Sequence, residues 1–256
     1  MNEKINLVLY SNGEPYTSSK KKLIETIYKF SNRKIKVHDY DLNKIMELSW
    51  YDKIKDLPRI KNGKGRRDGY YNCWKSFIVN EVYQNMNEGE ILYYVDSSRY
   101  YRNGFTQNID KLCDLALEEG IIAGSVGNDI KNNTIKCCDN INIWNKIIPN
   151  NDNNKYLNKM HILNSWFICI KNNINTNFLK DWNYWSVYKD DEFKNSLVTY
   201  HHTVDQSIFN ILVYKYKFKV FYHPNIGHNA NKDRNIVLKV LNNDNDYKKY
   251  LFLIKY

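Results

Sequence analysis

The chain has 256 residues, 43% of them hydrophobic and 26% charged, with a formal net charge of +10. This composition excludes a disordered chain, and no run reaches the roughly 18 apolar residues that a bilayer span needs. The charge favours an anionic partner, yet the basic residues are dispersed apart from Lys20-Lys21-Lys22 and residues 61–67, which reads as solubility rather than a nucleic-acid footprint.

In chain order, an apolar run over residues 5–10 ends at Ser11-Asn12-Gly13, the pattern of a strand followed by a turn. Residues 19–30 place Leu23, Ile24, Ile27 and Tyr28 at helical spacing, and residues 35–40 form a second strand pattern closing on Asp39-Tyr40-Asp41. Strand, helix, strand is the opening unit of a parallel sheet. After the basic, Gly-rich stretch 61–69, residues 74–86 predict a helix with Trp74, Phe77, Ile78, Val82 and Met86 on one side and Gly89 as its stop. A strand over 91–95 follows, then a helix over 106–119 closed by Gly120 and a buried strand over 121–126. Later come a strand over 162–170, helices over 176–186 and 203–214, and a last strand over 217–222. The alternation, with no linker composition between elements, predicts one α/β domain with a mainly parallel sheet flanked by helices.

The five cysteines include no C-x-x-C pair, so a zinc site is not indicated and free thiols in a reducing compartment are expected. The start, Met1-Asn2-Glu3-Lys4-Ile5-Asn6, has no signal-peptide apolar core, so a cytoplasmic location is expected.

Four constellations can carry chemistry. The strand over 91–95 runs into Asp96-Ser97-Ser98. Ligands of open α/β sheets sit at the carboxyl ends of strands, and an acid there can hold a hard cation that in turn holds a diphosphate. The same residues also fit a plain Asx-turn. Thr203-Val204-Asp205-Gln206 opens a helix: Thr203 and Gln206 match a capping box, and a first-turn acid such as Asp205 is worth about 0.3–1 kcal/mol against the helix dipole. The other reading puts Asp205 and Gln206 at the edge of a pocket. His223-Pro224-Asn225-Ile226-Gly227-His228 supplies imidazoles that suit transition ions, or that are simply polar loop residues. Finally, Lys75 falls in the first turn of a helix, where a cation is disfavoured unless an anion lies close by.

In this order, Gly69-Tyr70-Tyr71-Asn72-Cys73-Trp74-Lys75, then Gly89-Glu90-Ile91-Leu92-Tyr93-Tyr94-Val95-Asp96, then Asp205-Gln206-Ser207-Ile208-Phe209-Asn210 resembles the GT-A-fold glycosyltransferases. The likeness is to a group found in bacteria and large DNA viruses. It is similar also to the retaining enzymes related to glycogenin and to bacterial galactosyltransferases. Where the family's Asp-x-Asp motif has its second acid, this chain has Ser98. The resemblance spans roughly residues 5–230. It implies a hexosyltransferase-type enzyme of one GT-A domain over 1–256, with 1–126 holding a nucleotide sugar, usually a UDP-sugar, and 127–256 facing a glycan or protein acceptor. On that reading Ser11, Asn12, Asp39 and Asp41 hold the nucleoside and Lys75 approaches the phosphates. Asp96, Ser98 and His228 hold Mn²⁺ or Mg²⁺. Asp205 and Gln206 serve the reacting centre, Asp205 as general base if the reaction inverts, Gln206 as a shield of the cationic sugar if it retains. Two other classes stand beside it: a catalytically inactive GT-A scaffold and a basic nucleic-acid-binding protein.

Overall fold

Strand β1 (Ile5–Tyr10) is buried along its whole length, and its side chains divide by parity. Ile5, Leu7 and Leu9 enter one apolar cluster; Val8 and Tyr10 enter the other. Strand β3 (Ile91–Val95) splits in the same way: Ile91, Tyr93 and Val95 go to the first cluster, Leu92 and Tyr94 to the second. Successive strand side chains point to opposite faces, so a strand buried on both sides reads as a nearly continuous apolar run, which these two are apart from Asn6. The computed structural model describes residues 3–56, 73–97, 109–125, 141–149, 162–188, 204–221 and 251–253.

The other elements are α1 (Tyr16–Phe30), β2 (Ile35–Tyr40), α2 (Leu42–Met46), a 3₁₀ turn (Tyr51–Lys53), α3 (Trp74–Gln84), α4 (Ile109–Glu119), β4 (Ile121–Ser125) and α5 (Ile141–Ile147). They continue with β5 (Ile162–Ile170), α6 (Asn173–Ser186), α7 (Val204–Lys215), β6 (Lys219–Phe221) and β7 (Leu251–Leu253). The sheet order is β2-β1-β3-β5-β4-β6-β7. Strands β1, β2 and β3 are parallel neighbours, β4 is parallel to β6, and β5 and β7 run against their neighbours. Helices α1 and α4 cover one face through Leu23, Ile27, Leu112 and Leu115, and α3, α6 and α7 cover the other through Phe77, Ile78, Phe178, Trp182 and Phe209. The expected architecture, an α/β domain with a mainly parallel sheet between helices, is the one observed.

Some boundaries differ from the sequence reading. Helix α3 ends at Gln84 with Asn85 as its cap, before Met86, so Gly89 is not its stop. Gly89 instead takes φ +80° in the turn that starts β3, a conformation that favours glycine. Gly120 does close α4: it takes φ +83° and its N–H bonds Ala116 O at 2.8 Å. Elements α2, α5 and β7 are not among those read from the sequence. The first and last are five and three residues long, too short to show a period. The antiparallel course of β5 is not written in its residues, because an apolar run has no direction.

Three parallel strands side by side bring three carboxyl ends to one edge. Ser11 N–H bonds Tyr40 O at 3.1 Å, joining the ends of β1 and β2. The Ser97 hydroxyl donates to Tyr10 O, joining the ends of β3 and β1.

Near the opposite edge, Asn6 of β1 is 2% exposed; it donates to Glu90 Oε2 at 3.0 Å and faces His38 Nε2 through Oδ1 at 3.1 Å. Lys4 completes the group with a 2.9 Å ion pair to Glu90. Burial, with Lys36, Lys4 and Lys44 close by, pushes the His38 pKa down to about 4. An unfolded histidine titrates near 6.5, so between these values the unfolded chain binds a proton that the folded chain refuses. His38 therefore leaves stability intact above about pH 6.5 and withdraws it as pH falls toward 4. Melting curves across that window should show a smaller loss for His38→Gln than for wild type; parallel curves would remove His38 from the account.

Candidate active site

Parity continues past the end of β3. Tyr94 packs in the cluster with α3 and α7, and Asp96, two residues on, comes to the same side, where its carboxylate meets Lys75 of α3. Lys75, in the first turn of α3, holds Asp96 Oδ1 at 3.3 Å and Asp205 Oδ2 at 3.3 Å. Asp205, in the first turn of α7, is 0% exposed. The side chain of Lys75 is 6% exposed and that of Asp96 31%. Three residues far apart in the chain thus form one ionic cluster at the edge where β1, β2 and β3 end.

The elements explain how each side chain gets there. Trp74, which opens α3, packs its ring on Tyr10 at the end of β1, with centroids 4.0 Å apart. Cys73, just before it, donates its thiol to Ser186 O at 2.9 Å, fixing the start of α3 against the end of α6. Trp182 of α6 donates its indole N–H to Asp205 O at 3.3 Å, which fixes the start of α7. The Tyr94 hydroxyl donates to Asp96 Oδ1 at 2.7 Å, and its ring lies 5.4 Å from Lys75 Nζ.

The charges are matched by position as much as by number. Among the described residues two carboxylates face one ammonium, and Asp205 sits in the first turn of α7, where the helix presents its positive dipole end. Burial works against the Lys75 ammonium; Asp96 and Asp205 more than offset it, and the Lys75 pKa stands above its ordinary value. The first-turn cation that looks misplaced in the sequence is therefore answered within the chain by these carboxylates, so its position is no longer a pointer to a phosphate. Burial, with Asp96 beside it, pushes the Tyr94 phenol well up, so it remains a donor. Burial and then Asp205 push the Cys73 thiol well up too, and a protonated thiol is a poor nucleophile.

Asp205 is thus not the solvated first-turn acid of the capping reading. It is buried and paired, and its removal costs more than a lost dipole contact. Thr203 lies outside the described residues, as does the side chain of Gln206, which follows Asp205 in α7.

The expected nucleoside residues gather at the same edge, and two of them have structural work there. Asp39 pairs with the buried Lys20 of α1. Asp41 caps α2, accepting from Lys44 N at 2.8 Å. Asn12 is exposed, and Ser11 is 3% exposed with its hydroxyl lacking a hydrogen-bond partner among the described residues. A buried hydroxyl without a partner is costly unless a ligand or water meets it, so Ser11 is placed to meet one. Among the described residues the indole N–H of Trp74 has the same property; the sequence reading named Trp74 on the helix face and in the Gly69-to-Lys75 segment, with no role of its own. Ser98, His223 and His228 lie outside the described residues.

Asp96 fits part of a divalent-cation site. Oδ1 is taken by Tyr94 and Lys75, while the side chain stays partly exposed, leaving one carboxylate oxygen for a ligand. Mn²⁺ and Mg²⁺ accept a single carboxylate when phosphate oxygens and waters complete the shell. Among the described residues, no three His, Cys, Asp or Glu side chains are grouped to hold a metal.

No protein-family model matches the chain, and no curated protein sequence matches it. Among solved structures, it is similar to mouse xyloside xylosyltransferase 1 in its apo form, with a TM-score of 0.44 and 10% identity over 83% of this chain and 82% of that one. It is also similar to galactosyltransferase LgtC in complex with donor and acceptor sugar analogs, with a TM-score of 0.40 and 12% identity over 85% of this chain and 72% of that one. At these values neither likeness carries an activity over to this chain. No helix among the described residues is long and apolar enough to cross a membrane.

Proposed function

We propose that the chain is a glycosyltransferase of the GT-A type, moving a hexosyl group from a nucleotide sugar, in our reading a UDP-sugar, to a hydroxyl of a glycan or protein acceptor. The observation that carries this is the meeting of Asp96, Lys75 and Asp205 at the carboxyl edge of three parallel strands, the place where open α/β sheets take their ligands. The matching motif order in the sequence supports the same reading.

In this proposal Ser11 and Asn12, with the segment around Asp39 and Asp41, receive the nucleoside, and the partly exposed oxygen of Asp96 faces the diphosphate. Asp96, with Ser98 and His228, would hold Mn²⁺ or Mg²⁺, which when bound supplies charge stabilisation on the departing diphosphate. Lys75 keeps Asp96 and Asp205 in register. Asp205 and Gln206 serve the sugar: glycosyl transfer passes through an oxocarbenium-like state, and a fixed carboxylate in a dry setting stabilises such a cation without reorganising.

Ligand-dependent stability tests this directly. UDP should raise the melting temperature and Mn²⁺ should increase the gain; at 100-fold excess over Kd the stabilisation is about 2.7 kcal/mol. Asp96→Ala should remove the Mn²⁺ increment. Equal UDP stabilisation in EDTA and in Mn²⁺, with Asp96→Ala behaving as wild type, would rule out the metal role. A UDP-sugar hydrolysis assay then separates an active enzyme from a scaffold that binds without turnover.

A further inference from the structure

We infer that Tyr94 is a positioning residue: its hydroxyl fixes one oxygen of Asp96 so that the other is presented to the ligand. The inference rests on the reading of Asp96 as the group that meets the diphosphate and its cation.

Tyr94 is 1% exposed, and among the described residues its hydroxyl bonds Asp96 Oδ1 at 2.7 Å. The ring itself cannot wander. It stacks on Phe167 of β5, its register partner, at 5.7 Å, and Lys75 Nζ stands 5.4 Å from its face. A carboxylate one residue beyond a strand has two free side-chain torsions, and nothing in the backbone chooses between its oxygens. Here Tyr94 and Lys75 both hold Oδ1, from a rigid ring and from a buried ammonium. That leaves a single oxygen in a defined direction. Groups that hydrogen-bond a ligating carboxylate from behind set its orientation, and their loss typically costs 10–100-fold in metal affinity. The demand is greater here, because the position two residues after Asp96 is Ser98 and supplies no second carboxylate. In the sequence the only sign is a Tyr-x-Asp step at a strand end, which parity alone turns into a contact.

Tyr94→Phe deletes one oxygen and keeps the ring. Two numbers decide the matter: Mn²⁺ affinity with saturating UDP, read from the electron paramagnetic resonance signal of free Mn²⁺, and UDP affinity in EDTA. Tyr94→Phe should weaken Mn²⁺ binding 10–100-fold while UDP affinity in EDTA stays within about threefold and the melting temperature within a few degrees. Phe167→Leu, which loosens the ring's packing but keeps the hydroxyl, should lower the melting temperature and leave Mn²⁺ affinity near wild type. If Tyr94→Phe binds Mn²⁺ as wild type does, or if both variants lose it equally, Tyr94 has no positioning role. If wild type shows no UDP-dependent Mn²⁺ binding at all, the reading of Asp96 fails first and takes this one with it.

Discussion

Lys75→Met should destabilise the protein by about 3–5 kcal/mol, the usual result of removing one partner from a buried ionic group. The reason is not the loss of an attraction but what remains. Asp205 is 0% exposed, and with Lys75 gone it and Asp96 lose the ammonium that they share. Methionine fills much of the lysine stem's volume, so packing contributes little to the difference. Combining Lys75→Met with Asp205→Leu should recover most of the loss, since that change removes a buried charge that has lost its lysine and replaces it with an apolar group. Urea unfolding of the two single variants and the double variant gives the coupling energy. A loss below about 1 kcal/mol for Lys75→Met, or additive effects in the double variant, would mean that the cluster does not act as a unit.

Asp205→Asn separates structure from chemistry. Asparagine keeps the size and one acceptor oxygen, and Lys75 retains Asp96, so the stability cost should be about 1–3 kcal/mol, that of weakening a buried charged hydrogen bond. The first-turn reading of the sequence gives about 0.3–1 kcal/mol for the dipole contact; the burial of Asp205 is why the expected cost is higher. Turnover should fall by roughly 10²–10³-fold, the scale of losing one preorganised electrostatic group in an active site. UDP affinity should change only a few-fold, because the nucleoside residues lie on other elements. The assay is donor hydrolysis or transfer by purified protein at a temperature well below the variant's melting point. A variant that keeps most of its rate would leave Asp205 as the structural partner of Lys75 and move the search to Gln206.

Much of the frame was legible in the residues themselves. Strands β1, β2, β3 and β5 match their predicted ranges, and Gly120 closes α4 as expected; burial on both faces makes β1 and β3 nearly continuous apolar runs, and a left-handed turn favours glycine. The order of Asp96 and Asp205 within their elements was equally plain: one ends a strand, the other begins a helix. What the chain could not state locally is that these two acids share a lysine. Residues 75, 96 and 205 are brought together by strand order and by the packing of α3 and α7 on one face of the sheet, and no short-range period encodes either. The same limit hid the direction of β5, which depends on its neighbours β3 and β4. It also hid Lys75 as the link between two carboxylates. Sequence pattern determined which positions are buried and which carry charge; tertiary packing decided which charges meet, because ion pairing depends on distance in space, and distance along the chain says almost nothing about it once a sheet has ordered its strands.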